Sequence, residues 1–169
     1  MLLRSPEEAE LATIAGWLAE PENGRWLRFG PGLPAPSAAV LRVMCRRDTH
    51  VVRVFTEEAG GQAVGVVALS DVDREFRTGT LWYVLGEKQA RGRGLATRAV
   101  SALLGEAFSS GALFAVQAWV VDGNMPSMMV LSHNRFRFVG RQRCCHVVEG
   151  CIRDRLLFDL LADEHRVIR

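Results

Sequence analysis

Apolar residues near the start of the chain recur every three or four positions. In SPEEAELATIAGWLAEP, Leu11, Ile14, Ala15 and Leu18 share one face. Ser5 stands as N-cap, Pro6 at the first helical position and Glu8 at the capping-box position, so a helix is predicted that ends at Pro21 and Asn23-Gly24. GPGLPAP (30–36) reads as a loop and SAAVLRVMCRR as a short helix capped by Ser37. Both helices and their loop are expected over one side of the core. The period then becomes strand-like: HVVRVFTEE, QAVGVVALSDVD and TGTLWYVLG predict three successive antiparallel strands, with Gly60-Gly61 turning between the first two. Helical spacing returns at Leu95, Ala96, Ala99, Val100, Leu103, Leu104 and Ala107. ALFAVQAWVV is apolar almost throughout, which predicts a central strand covered on both faces. NMPSMMVLSHN predicts a short helix from about Asn124, and the remainder two strands joined around Glu149-Gly150. This order describes an α/β (α+β) domain with one mixed, mostly antiparallel sheet flanked by helices, and the length fits a single domain over residues 1–169.

Composition narrows the class. With 49% hydrophobic and 24% charged residues and no apolar run of about eighteen, a soluble globular chain is expected and a membrane helix is not. MLLRSPEEAE has neither the basic start nor the apolar core of a signal peptide, so a cytoplasmic location is expected. A net charge of +2 gives no argument for nucleic acid. Cys144 and Cys145 are adjacent and point to opposite faces of a strand, so Cys45, Cys144, Cys145 and Cys151 are expected as free thiols. CCHVVEGC lacks the two-to-four-residue Cys spacing of zinc sites, so no metal is expected.

Candidate chemistry concentrates in GEKQARGRGLATRAV. Gly92 and Gly94 remove side chains where a ligand must approach the backbone, and the helix they open offers unpaired N–H groups to a pyrophosphate. Arg91 and Arg93 add charge at the rim. Read by themselves, the same glycines equally make a plain strand-to-helix turn. A Walker A loop is excluded because the lysine is missing, and a dinucleotide fingerprint because Thr97 stands at the third glycine position.

Gln89-Ala90-Arg91-Gly92-Arg93-Gly94, continued by Leu95-Ala96-Thr97, resembles the Q/R-x-x-G-x-G/A acetyl-CoA loop of the GNAT N-acetyltransferase superfamily. Downstream, Asn124-x-x-Ser127, Phe136, Gly140, Gly150 and Asp154 are similar to the RimJ/RimL-like branch. The resemblance covers most of the chain, and residues 80–160 carry its specific part. Two departures stand out. Ser132, His133 and Arg135 replace the branch's Glu-Lys pair and a glycine, and the segment from Tyr83 to Gly92 is one residue longer than usual.

The resemblance implies a GNAT-like fold with acetyl-CoA as co-substrate, and transfer of the acetyl group to a primary amine by direct attack in a ternary complex. It assigns residues 89–97 to the pyrophosphate, the backbone around Leu85 and Gly86 to the thioester, and Asn124 to the pantetheine arm, where it also caps the next helix. Ser127 matches the serine that returns a proton to the thiolate, or it orders the local backbone. Leu131 stands where many superfamily members place a tyrosine. Among Asp71, Asp73 and Glu75, Asp71 is taken as the base, with water as the other route. The acceptor is a protein N-terminus or a small amine, and the acids of SDVDREF and AEPEN favour a cationic one. A GNAT-like acyl-CoA-binding module without turnover is the alternative. A homodimer through the strands around Phe138 and Leu156 is a further expectation.

Overall fold

Alternation of apolar residues along β3 (Ala63–Asp73) organises the molecule. Val66 and Ala68 face one hydrophobic cluster, while Val67 and Leu69 face another. A computed structural model describes residues 1–27 and 34–168, so the loop expected at 30–36 lies largely outside the described residues. β1 (Leu2–Arg4), β2 (Val51–Thr56), β3, β4 (Thr78–Leu85), β5 (Ala115–Val121), β6 (Arg137–Val148) and β7 (Cys151–Leu161) form one sheet in the order β1-β2-β3-β4-β5-β7-β6. Every neighbouring pair is antiparallel except β4 and β5. α1 (Glu10–Ala19) and α3 (Ala38–Arg46) bury Leu11, Ile14, Leu18 and Leu41 against one face. On the other face lie α4 (Leu95–Ser109) and α5 (Met125–His133). No helix among the described residues is long and apolar enough to cross a membrane.

Several expectations are corrected. The first helix begins at Glu10 without a side-chain cap, because Ser5 and Glu8 face other partners. Ser5 Oγ accepts from Arg53 and the Glu8 carboxylate pairs with Arg42, while Glu10 reaches back to the Glu7 N–H and to Arg4. Pro21 starts a separate turn of helix, α2 (Pro21–Gly24), instead of only ending the first. β1 was not anticipated, three residues being too short to show a period. β5 is covered on one face only at its start, since Gln117 is exposed opposite buried Val116. Phe138 is exposed on edge strand β6, whereas Leu156 is buried.

Arg135 at the end of α5 takes the place of a glycine in more than sequence. Its φ is 65°, its N–H donates to Ser132 O at 2.9 Å, and Phe136 N donates to Leu131 O at 3.0 Å. These are the two hydrogen bonds of a Schellman motif, with a non-glycine residue at its left-handed position. The β6–β7 hairpin closes on Glu149-Gly150, both at positive φ, as the strand twist requires of a two-residue turn. Cys45, Cys144 and Cys151 are free thiols, and Cys144 lies at a bulge where its N–H donates to Asp154.

Candidate active site

β4 and β5 run parallel but pair only at their starts, through Thr78–Ala115, Gly79–Val116 and Thr80–Gln117. Beyond Thr80 the ladder stops, although β4 continues to Leu85 and β5 to Val121. β3 and β7 hold the outer edges of these two arms in long antiparallel ladders, which keeps the split open. The resulting cleft measures about 1470 Å³, above the upper end of roughly 1,000 Å³ usual for one small-molecule site. Two ligands can meet in it. Alternation decides which side chain serves which face: Leu81, Tyr83, Ala118 and Val120 lie on the α4/α5 side, while Trp82 and Val84 lie on the α1/α3 side. Trp119, out of phase with Ala118 and Val120, belongs to the latter side.

At the far end of β4 the chain enters a 3₁₀ turn at Lys88–Ala90 and then the glycine loop. Gly92 and Gly94 have φ of 76° and 69°, and an added Cβ at either would meet nothing within 4 Å. Conformation therefore demands glycine there, not packing. Among the described residues, the N–H groups of residues 92–97 donate to no acceptor, whereas Arg98 N closes the first helical bond to Gly94 O. This row of free donors sits at the positive end of the fifteen-residue helix α4. Arg91 and Lys88 both pair with Glu22, at 3.0 and 3.1 Å, and Arg93 pairs with Glu57 at 2.5 Å. Arg91 first, then Lys88, holds the Glu22 carboxyl below the usual carboxylate range.

Most residues anticipated at the coenzyme site do come together. Arg91, Gly92, Arg93, Gly94, Ala96 and Thr97 line the cleft, and Ala90 and Leu95 line it while packing their side chains in the core. Gln89 is exposed and lies off the cleft wall. Gly86 is also off the wall, for it lies beneath the Trp17 indole and its N–H, with that of Glu87, donates to Val64 O at 2.9 and 3.0 Å. Leu85 is out of phase with Gly86 in the ladder, so its N–H is the one turned toward the cleft. Trp17 Nε1 also donates to Glu87 Oε1 at 3.3 Å, tying the first helix to the entrance of the loop.

Asn124 caps α5 by accepting the Ser127 N–H at 3.3 Å, which leaves its amide NH2 on the cleft wall. Ser127 lines the cleft half-buried. Tyr83, which the sequence did not single out, reaches across the split and donates its hydroxyl to Ser127 O at 3.1 Å. Burial pushes the phenol well above its ordinary range, so it stays protonated. The period-two run LWYVL was the available signal: it places Tyr83 on the same face as Leu81. Asp71 lies exposed at the bulge of β3 with a φ of 51°, on the cleft rim beside Ser70, Thr80 and His50. Asp73 is engaged by its own turn, accepting from Glu75 N and Phe76 N at 2.8 Å each, and does not line the cleft. Among the described residues, no three His, Cys, Asp or Glu side chains come together as metal ligands.

Comparison with known proteins bears on this geometry. A family model described as the acetyltransferase (GNAT) domain matches residues 1–137. No curated protein sequence matches. Among solved structures, RimJ from Mycobacterium smegmatis, in complex with CoA-disulfide, has a TM-score of 0.78 at 24% identity, over 96% of this chain and 82% of that one. Spermidine N-acetyltransferase from Vibrio cholerae, in complex with CoA and spermine, has a TM-score of 0.83 at 17% identity, over 96% of each chain. The ribosomal-protein-S5-alanine acetyltransferase of Vibrio fischeri gives 0.77 at 19% identity, over 97% of this chain and 94% of that one. At these identities the structural likeness establishes the fold, and it is the family model, spanning most of the sequence, that settles membership: the chain belongs to the GNAT family of acetyltransferases.

Proposed function

We propose that this chain, acting as a single RimJ/RimL-like acetyltransferase domain, transfers the acetyl group of acetyl-CoA to a primary amine by direct attack in a ternary complex. The row of unpaired N–H groups at residues 92–97, at one end of a cleft that passes through the sheet, carries the reading. Acetyl-CoA supplies the acetyl group as a thioester. The N–H groups of the loop and the N-terminus of α4 hold its pyrophosphate, with Arg91 and Arg93 alongside. The Asn124 NH2 meets an amide of the pantetheine arm, and the Leu85 N–H polarises the thioester carbonyl. The acceptor nitrogen enters from the α1/α3 face and forms the C–N bond as the C–S bond breaks. Asp71 takes up the amine proton through water, and Ser127, held in place by Tyr83 and Asn124, returns a proton to the sulfur.

A thermal-shift titration with acetyl-CoA and with free CoA tests the coenzyme half. Both ligands should raise Tm with concentration, and Gly92→Arg should abolish the shift. No shift in the wild-type protein at millimolar ligand would refute the assignment. For the chemical step, Ser127→Ala should lower kcat by about 10²-fold or more while leaving acetyl-CoA affinity within about twofold.

A further inference from the structure

Resting on the acetyltransferase reading, we infer that the acceptor is a primary amine carried on a flat, neutral apolar body, which seats between Trp82 and Trp119 on the face of the sheet opposite the coenzyme. The two indoles come from opposite arms of the split. Trp82 packs toward the cluster of α1 and α3, and Trp119 stands across from it on β5. Trp26, Leu27 and Met44 continue the apolar lining. An aromatic or large aliphatic group gains dispersion and offset stacking from such walls.

Charge argues the same way. Of the Asp and Glu residues among the described ones, only Glu22 and Asp71 line the cleft. Glu22 is held at the coenzyme end by Arg91 and Lys88, so Asp71 alone faces the acceptor. Glu20 and Asp73, which made a cationic acceptor attractive in the sequence, do not reach the cleft. The Arg155 guanidinium lies 3.9 Å from the Trp119 ring centroid, so that indole already carries a cation on one face. His146 packs tilted against the same ring at 6.0 Å. A polyamine would bring further ammonium groups into this chamber, where among the described residues Asp71 is the one carboxylate not already paired with a cation. A monoamine needs only to lose its proton toward Asp71 and bury its ring. Such a ring exists on a free arylalkylamine and on a peptide that begins with Phe.

A wild-type acceptor panel decides, with acetylated product measured by chromatography because Cys45, Cys144 and Cys151 are exposed and would consume a thiol reagent. The panel comprises 2-phenylethylamine, a peptide beginning with Phe, a peptide beginning with Ala, and spermidine. At least tenfold higher kcat/KM for either phenyl-bearing acceptor over both others supports the inference, and the better of the two identifies the source. Trp119→Ala should then raise KM for that acceptor about tenfold, with the acetyl-CoA thermal shift retained. Spermidine or the Ala peptide matching or exceeding the aromatic acceptors overturns the inference and leaves the acetyltransferase reading intact. Acetyl-CoA binding without transfer to any amine, or no binding at all, overturns both.

Discussion

Gly86 lies directly beneath the indole of Trp17, so close that a Cβ on Gly86 would sit 2.0 Å from Trp17 Cδ2. A helix near the start of the chain thereby fixes the end of β4, next to the Leu85 N–H proposed to polarise the thioester. Gly86→Ala should push the indole away and cost roughly 1–3 kcal/mol of stability. The variant should show a lower urea midpoint and weaker acetyl-CoA binding, whereas Gly111→Ala, just beyond the C-terminal end of α4 and so at the opposite end of that helix from the glycine loop, should leave binding unchanged.

At Arg135 the reverse substitution should help. The residue occupies the left-handed position of the α5 terminus and makes no side-chain ion pair or hydrogen bond among the described residues. Arg135→Gly should therefore stabilise by about 1 kcal/mol, raising Tm by roughly 2–4 °C in calorimetry.

Glu22 pairs with two cations that precede Gly92 in the glycine loop, Lys88 and Arg91. Glu22→Gln should release Lys88 and Arg91 toward the coenzyme and tighten CoA binding by about threefold at low salt. The gain should fade by about 1 M salt, where the screening length is only about 3 Å. Isothermal titration at two ionic strengths checks it, and weaker binding at low salt would contradict the role given to these pairs.

His165 packs against Phe108 with ring centroids 5.6 Å apart. Burial, reinforced by Arg166, lowers its pKa from the ordinary 6.5. Below that pH the unfolded chain binds a proton that the folded chain resists, so stability is complete above about pH 6.5 and declines as pH falls toward the lowered folded value. His165→Leu should flatten the fall in urea midpoint between pH 7 and 5. A decline as steep as the wild type's would place its origin elsewhere.

The pattern of residues by itself determined the helices α1, α3, α4 and α5, six of the seven strands and the glycine loop, because period is local and needs no partner, whereas the cap expected at Ser5 and Glu8 gave way to Arg53 and Arg42. It also placed Asn124 at a helix start and flagged Arg135 as standing in a glycine's position. Packing decided the rest. Whether Gly86 or Leu85 faces the cleft depended on a ladder to Val64, more than twenty positions earlier. Whether an acidic residue could meet an acceptor depended on what already held it: Glu22 meets Lys88 and Arg91, Asp73 its own turn, and among the described residues Asp71 is the remaining acid on the cleft wall. Trp82 and Trp119 line one chamber because two strands begin as neighbours and then part, and a parting of strands leaves no trace in the period of either one.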